Sequence, residues 1–188
     1  MLNFKQKAKT LFECLPSYNE GYLEVSGGHS IYYEEYGNPK GKPVLFLHGG
    51  PGAGFSNSHK SFFDPKIFRV IFFDQRGSGK SIPYAEIKNN TTDLLLSDIE
   101  SLRSFLNIDR WLLFGGSWGS TLALIYGIKF PEKCTGFILR GIFLGSKSEV
   151  DWFLYEIKRF FPEAYNKFIS YVPLNERGNI LNWFYDQL

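Results

Sequence analysis

The sequence predicts an α/β domain built on a mainly parallel β-sheet. Short apolar runs that end in glycine-containing loops are typical of strands buried on both faces of such a sheet. Segments with apolar residues at helical spacing lie between these runs, and an alternation of strand and helix is typical of α/β domains. The apolar runs are KPVLFLHGG, FRVIFFDQRG, RWLLFGG and CTGFILRGIFL.

A β-hairpin is predicted before the first apolar run. Residues 22–26 and 31–36 have the composition of strands, and Gly27 and Gly28 supply the turn between them. Residues 1–20 are assigned to an N-terminal segment that precedes the domain.

The first helix is predicted within NNTTDLLLSDIESLRSFLNI. Thr91 or Thr92 can cap its N-terminus, and Asp93 suits the positive end of the helix dipole. An apolar stripe at helical spacing marks the face that packs on the sheet. The stripe consists of Leu95, Ile99, Leu102 and Leu106.

A second helix, STLALIYGIKFP, follows the third apolar run and ends near Pro131. The chain changes character after the fourth run. From residue 149 onward it is predicted to form aromatic-rich helices, with no further strand.

Composition argues against several classes of function. The 188 residues carry a formal net charge of +2 without a basic stripe, which argues against nucleic acid as a partner. Two cysteines do not make a disulfide framework, and no His/Cys cluster suggests a metal. The sequence has neither a signal-peptide pattern nor an apolar run of ~18 residues, so no membrane partner is expected and a cytoplasmic location is predicted.

The segment Gly115-Gly116-Ser117-Trp118-Gly119 fits the G-x-S-x-G pattern of a serine nucleophile on a tight turn between a strand and a helix. An apolar strand precedes it and an apolar helix follows it, as this turn requires. Ser117 would be strained, with its Oγ exposed above the sheet and the helix N-terminus facing developing negative charge. The alternative is an ordinary glycine-rich turn.

A second glycine-rich loop, His48-Gly49-Gly50-Pro51-Gly52, follows the first buried strand. Because glycines have no side chains, the backbone of such a loop can direct its N–H groups at an oxyanion. The predicted pair of donors is the N–H of Gly50 and the N–H of Trp118. The alternative is a flexible turn.

All three histidines precede Ser117 in the chain. His48 is predicted to hydrogen-bond within its own loop and His29 to be solvated in the hairpin turn. His59 could approach the mouth of the site, but this interpretation is not favoured because His59 precedes the nucleophile motif in the chain. The Asp and Arg of DQRGSGKS could line a pocket, but a charged pair that fixes this turn is the favoured interpretation.

The joint presence of HGGPG, DQRGSGKS and GGSWGS at these spacings resembles the proline iminopeptidases, α/β-hydrolases that remove N-terminal proline. The likeness runs from about Gly21 to the end of the chain. Asp93 is a local departure, at a position where the family often carries Trp. The resemblance implies an α/β-hydrolase fold in which residues 21–148 are a core without its C-terminal strands and residues 149–188 begin a helical cap.

By the same resemblance, Ser117 is the nucleophile of an aminopeptidase that acts on peptides with N-terminal proline. Gly50 and Trp118 form the oxyanion hole, and no metal or organic cofactor is needed. Three further residues match substrate-binding positions of the family. They are Arg140, Phe143 and Phe153.

The catalytic triad of this fold runs in the order Ser, Asp, His. Downstream of Ser117 the only aspartates are Asp151 and Asp186, both in predicted cap helices, and histidine is absent. The triad Asp and His are therefore expected from a missing part or from a second chain. Because losing the histidine costs about 10⁶ in kcat in a serine hydrolase, we expect the 188 residues alone to be nearly inactive. The strand TGFILRG is expected to be an unpaired edge that invites association.

The sequence is also compatible with two alternatives. The chain could be a catalytically inactive remnant or a binding module that keeps the loops without turnover. It could also be a related esterase or amidase, since a fold alone does not fix the substrate.

Overall fold

The structure is a computed structural model that describes residues 11–187. Residues up to Ile142 form one compact unit, and residues from Phe143 form a second. Residues 1–10 of the predicted N-terminal segment lie outside the described residues. The assignment of 21–148 to an incomplete core and of 149–188 to the start of a cap remains a prediction.

The first unit is built on a six-stranded mixed sheet with the order β1-β2-β4-β3-β5-β6. β1 pairs with β2, and β2 with β4, in antiparallel fashion, whereas the other three pairs are parallel. The predicted hairpin and the four apolar runs all form strands of this sheet. The strands are β1 (Asn19–Val25), β2 (His29–Gly37), β3 (Lys42–Leu47), β4 (Phe68–Phe73), β5 (Trp111–Gly116) and β6 (Cys134–Arg140).

The central strands are apolar throughout because both faces of the sheet are covered. In β3, Leu45 and Leu47 belong to the core on the helical side, while Val44 and Phe46 belong to an aromatic core on the other side. Successive side chains of a strand point to opposite faces, so each face takes alternate residues. Because β3 lies between β4 and β5, the loop that follows Leu47 leaves the sheet from an inner strand, at its carboxyl end.

Two helices pack on one face of the sheet, α1 (Thr92–Phe105) and α2 (Trp118–Lys129). The hydroxyl of Thr91 caps α1 by accepting a hydrogen bond of 3.4 Å from the Leu94 N–H. The predicted stripe of α1 is confirmed, because its four members are all buried in the main core. α2 ends two residues before Pro131, as the sequence predicts.

β6 lies at the edge of the sheet and pairs with β5 alone among the described strands. The side chains of Phe137 and Ile138 in this strand are 42% and 46% exposed. β6 therefore presents an open row of backbone groups together with apolar side chains, as predicted for TGFILRG.

The second unit consists of helices, and no strand occurs among its described residues. They are α3 (Lys147–Asp151), a π-helical turn (Trp152–Glu156), α4 (Pro162–Ile169) and α5 (Ile180–Tyr185). A small core of its own holds Leu154, Ile169, Val172 and Ile180. Within residues 11–187, no helix has the length and apolar character needed to cross a bilayer.

Candidate active site

Ser117 occupies a strained turn between β5 and α2. Its backbone angles are φ 54° and ψ −124°, in the positive-φ region that side-chain-bearing residues rarely adopt. The strain is sustained by close packing on both sides of the serine. A Cβ on Gly115 would lie 2.2 Å from the carbonyl oxygen of Gly119, and a Cβ on Gly119 would lie 2.1 Å from that of Leu47. Both positions therefore require glycine.

The loop after β3 lies directly against this turn. A Cβ on Gly49 would come within 3.0 Å of the carbonyl oxygen of Gly116 and 3.4 Å of the Cβ of Ser117. Gly50 follows with φ 114°. The glycine loop and the serine turn are thus neighbours at the carboxyl ends of two adjacent parallel strands, β3 and β5, which is where α/β sheets bind ligands.

Two backbone N–H groups near Ser117 differ in availability. The N–H of Ser117 donates a hydrogen bond of 3.1 Å to the carbonyl oxygen of Arg140. Trp118 is the first residue of α2, and the first N–H groups of a helix have no acceptor inside it. The geometry therefore suits Trp118, and not Ser117, as a donor to an oxyanion.

His48 is a buried structural residue, 1% exposed. Its Nδ1–H donates to the carbonyl oxygen of Gly49 at 2.9 Å, and its Nε2 accepts from the backbone N–H of Gln75 at 3.0 Å. Burial lowers the pKa of His48, which keeps the ring neutral. Both ring nitrogens are engaged, so the predicted role as a hydrogen-bonding residue of the loop agrees with the geometry.

Gln75 lies in the DQRGSGKS motif, but the sequence analysis assigns it no role, and in the structure it connects two loops of the site. Its side-chain amide donates to the carbonyl oxygen of His48 at 3.0 Å, and its Oε1 accepts from the indole N–H of Trp118 at 3.0 Å. Gln75 is 2% exposed. One side chain therefore fixes the glycine loop relative to the residue that follows Ser117.

His59 lines the same cavity as Ser117. Its Nδ1 accepts a hydrogen bond of 3.0 Å from the backbone N–H of Ser56, and its ring packs on Phe46 with centroids 4.7 Å apart. Burial, with the charge of Arg140 second, lowers the pKa of His59. In the neutral ring the proton must then sit on Nε2, because Nδ1 is an acceptor. His59 therefore has an N–H to donate and no free lone pair to take the proton of Ser117.

The prediction that His29 is solvated is wrong. His29 is 1% exposed, and its Nε2–H donates to the carbonyl oxygen of Lys88 at 2.9 Å. The segment after β4 folds back over the hairpin, with Ser30 bridged to Ile82, and this long-range contact buries the ring.

The prediction of a charged pair within DQRGSGKS is wrong in its partners. Asp74 accepts hydrogen bonds from the backbone N–H groups of Phe55 and Lys80, at 2.9 and 2.8 Å. Arg76 forms a bidentate pair with Asp98 of α1, at 2.5 and 2.7 Å. Both charges fix the turn, as predicted, but the carboxylate that neutralises Arg76 comes from a helix 22 positions away.

A cavity of about 270 Å³ opens at Ser117. Arg140 is the predicted substrate-binding residue that lines this cavity. Gly50 and His59 line it as well. Phe143 and Phe153 belong to the second unit, where Phe153 is 59% exposed and lines an apolar groove with Phe161 and Phe168. The catalytic and binding roles of all these residues remain predictions.

A central sheet whose strand β5 leads through a strained serine into a helix defines an α/β-hydrolase arrangement. The family model described as alpha/beta hydrolase fold matches residues 42–184, and the chain belongs to this family. The fold class predicted from the sequence is thereby confirmed.

The curated proteins that resemble this chain include several named proline iminopeptidase. The chain is 50% identical over 181 residues to a probable proline iminopeptidase of Leptolyngbya boryana, in a match that covers 96% of this chain and 56% of the relative. It is 51% identical over 175 residues to a proline iminopeptidase of Arabidopsis thaliana, with coverage of 92% and 46%. A solved proline iminopeptidase-related protein of Thermus thermophilus is 33% identical with a TM-score of 0.57, covering 66% of this chain and 44% of that one. The chain thus spans about half the length of the relatives it matches.

Proposed function

We propose that this chain carries the nucleophile of a serine aminopeptidase that releases N-terminal proline from peptides. The observation that carries the proposal is the strained Ser117 at the start of α2, with the Gly49-Gly50 loop packed against it. The relatives named proline iminopeptidase support N-terminal proline as the substrate. Both cysteines are free thiols, which suits the proposed cytoplasmic location.

The proposed reaction begins with attack of the Ser117 Oγ on the carbonyl carbon of the N-terminal proline residue. As the C–O bond forms, the carbonyl π electrons move to oxygen, and the oxyanion accepts hydrogen bonds from the N–H groups of Gly50 and Trp118. The tetrahedral intermediate then expels the amine of the next residue, which takes up a proton. Water hydrolyses the resulting acyl-enzyme and releases proline.

A general base has to take the proton of Ser117 and pass it to the leaving amine. His48 and His59 do not suit this role, because their acceptor nitrogens are bonded to backbone N–H groups. We propose that the Asp and His come from a further segment, either continuous with this chain or on a second polypeptide. The greater length of the curated relatives supports this arrangement. Phe143 and Phe153 are proposed to contribute to the binding of the proline ring.

The experiment tests Ser117 and the missing base together. We would measure hydrolysis of prolyl 4-nitroanilide by the full chain, alone and mixed with the part of the Leptolyngbya boryana relative that this chain does not match. We expect turnover only in the mixture, and its loss in Ser117→Ala but not in Ser148→Ala. Ser148 is an exposed serine of the second unit and serves as the matched control.

The alternatives give different results in the same assay. A related esterase would hydrolyse 4-nitrophenyl acetate through Ser117 while leaving the prolyl amide intact. An inactive remnant or binding module would neither turn over either substrate nor react with a fluorophosphonate at Ser117. Substantial prolyl hydrolysis by the full chain alone would contradict the need for an added base.

A further inference from the structure

The turn that follows β4 holds the loop after β3 at both of its ends. The carboxylate of Asp74 accepts a hydrogen bond of 2.9 Å from the backbone N–H of Phe55. The side-chain amide of Gln75 donates one of 3.0 Å to the carbonyl oxygen of His48. Both residues of the turn are buried, at 3% and 2% exposed, which strengthens these bonds. The loop of residues 48–55, which carries a proposed oxyanion donor, is therefore fixed by two neighbouring residues.

The backbone of Gln75 also determines which nitrogen of His48 carries the proton. Its N–H donates to Nε2 at 3.0 Å, so the proton of the neutral ring lies on Nδ1 and is donated to the carbonyl oxygen of Gly49 at 2.9 Å. The peptide bond between Gly49 and Gly50 is trans, and in a trans peptide the N–H points away from the carbonyl oxygen. The imidazole that holds this carbonyl therefore also sets the direction of the Gly50 N–H, which points away from the ring.

The other end of the same side chain reaches the first residue of α2. The Oε1 of Gln75 accepts a hydrogen bond of 3.0 Å from the indole N–H of Trp118, whose backbone N–H is the second proposed donor. The donor and the acceptor of a glutamine side chain belong to one amide group, so their separation is fixed. A single amide thus spans the two loops, and the distance between the two proposed donors depends on it.

We propose that Gln75 is a positioning residue of the oxyanion hole, which holds the N–H groups of Gly50 and Trp118 at a fixed separation. This inference rests on the proposed function, because the oxyanion arises when Ser117 attacks a carbonyl. Donors stabilise an oxyanion when they lie about 2.7–3.1 Å from the position that the charged oxygen will occupy. Gln75 acts through the two loops and contributes no group to the reaction itself.

The test uses an equilibrium, so that it needs no general base and can be made on the full chain alone. Phenylboronic acid is titrated into the protein at neutral pH and followed by boron NMR. The oxygen of Ser117 donates an electron pair to boron, the B–O bond forms, and the serine proton passes to the buffer. Boron becomes tetrahedral and negatively charged, so the adduct mimics the oxyanion intermediate. Ser117→Ala should abolish the tetrahedral signal and thereby assigns the signal to this serine.

The variants separate positioning from folding. Gln75→Leu should raise the Kd of the boronate about tenfold, because the donors are displaced rather than removed. Trp118→Phe removes only the indole bond and should raise the Kd about threefold, since one of the two donors keeps its support. This milder variant also tests the proposal if Gln75→Leu does not fold. A loss of folded protein would reduce the amplitude of the signal and leave the Kd unchanged.

Leu106→Ala is the control for a general loss of stability. Leu106 is buried at 7% exposed, so its truncation destabilises the fold. It lies at the opposite end of the sheet from the turn, where its carbonyl oxygen accepts a hydrogen bond of 3.1 Å from Arg69, near the start of β4. We expect Leu106→Ala to bind the boronate with an unchanged Kd.

Three outcomes would overturn the role of Gln75. They are an unchanged Kd in Gln75→Leu or in Trp118→Phe, an equal rise of the Kd in Leu106→Ala, and no tetrahedral boron at Ser117 in the unaltered chain. The probe contains no proline, so the result is independent of the substrate. A raised Kd in Gln75→Leu without prolyl hydrolysis in the mixture would support the role of Gln75 and refute the proposed function. Prolyl hydrolysis with an unchanged Kd would do the reverse.

Discussion

The backbone N–H of Ser117 donates a hydrogen bond of 3.1 Å to the carbonyl oxygen of Arg140. This bond ties the serine turn to the end of the neighbouring strand β6 and occupies the amide of the proposed nucleophile. Donors to an oxyanion must then come from other residues. The proposed donors are the N–H of Trp118, at the start of α2, and the N–H of Gly50, in the loop beyond β3.

The strain at Ser117 predicts a gain in stability when the side chain is removed completely. Glycine adopts positive φ without steric cost, whereas alanine retains the Cβ that causes the strain. We expect Ser117→Gly to unfold with a free energy about 1 kcal/mol higher than Ser117→Ala, measured by urea denaturation. An alanine variant as stable as the glycine variant would show that the turn is not strained.

Gln75 is predicted to be important for both stability and reactivity. Replacing it with leucine leaves the indole N–H of Trp118 and the carbonyl oxygen of His48 without their partner in a buried environment. We expect Gln75→Leu to lower the free energy of unfolding by about 2 kcal/mol or more. In the mixture that supplies the general base, it should also slow fluorophosphonate labelling of Ser117, because the loop loses its fixed position. Trp118→Phe removes only one of the two bonds and should have about half the effect on stability.

The pair of Arg76 and Asp98 predicts a large difference between two Asp→Asn substitutions. The side chains of this pair are 0% and 2% exposed, so Asp98→Asn leaves a buried guanidinium without its counter-charge. We expect a loss of about 3–5 kcal/mol in the free energy of unfolding. Asp109→Asn is the matched control, because the Asp109 side chain is 89% exposed and its Oδ2 lies 4.0 Å from the Nε of Arg110. A similarly small effect at both positions would contradict the assignment.

Glu34 is expected to make stability depend on acid pH. Its carboxylate is buried, and burial alone would raise its pKa, but hydrogen bonds from Lys60, Ser17 and Tyr32 lower the pKa below the ordinary value of 4.5. Its stabilising contribution is therefore complete above about pH 4.5 and is lost as the pH falls through the folded-state pKa. The cost of Glu34→Gln, measured by urea unfolding, should be large at pH 7 and shrink below pH 4.5. A pH-independent cost would refute this account.

The exposed edge of the sheet predicts self-association through β6. A charged side chain on an edge strand blocks pairing with another strand. Ile138→Lys should therefore shift the full chain toward monomer in sedimentation-velocity experiments. Ile128→Lys adds the same charge at a position that is 82% exposed on α2 and should have little effect. Equal effects of the two variants would indicate a general effect of charge.

Local sequence was sufficient for the elements and for the nucleophile motif. The strands were predictable because runs such as VLFL are apolar at every position, which only burial on both faces explains. α1 was predictable because its stripe has helical spacing and a threonine cap. The serine turn was predictable because glycines flank Ser117 on both sides, and the close contacts of Gly115 and Gly119 show why no larger residue fits.

Tertiary structure alone decided which distant groups meet. His29 was predicted to be exposed because its neighbours are turn residues, yet a segment 59 positions away covers it. Arg76 pairs with a carboxylate on α1, and Gln75 hydrogen-bonds to both loops of the site. No local sequence pattern predicts either contact. The sequence by itself thus determined which residues form strands, helices and the serine turn, since these depend on spacing and backbone sterics. The folded chain decided the partners of its buried polar groups, because each must find a hydrogen bond wherever the packing places one.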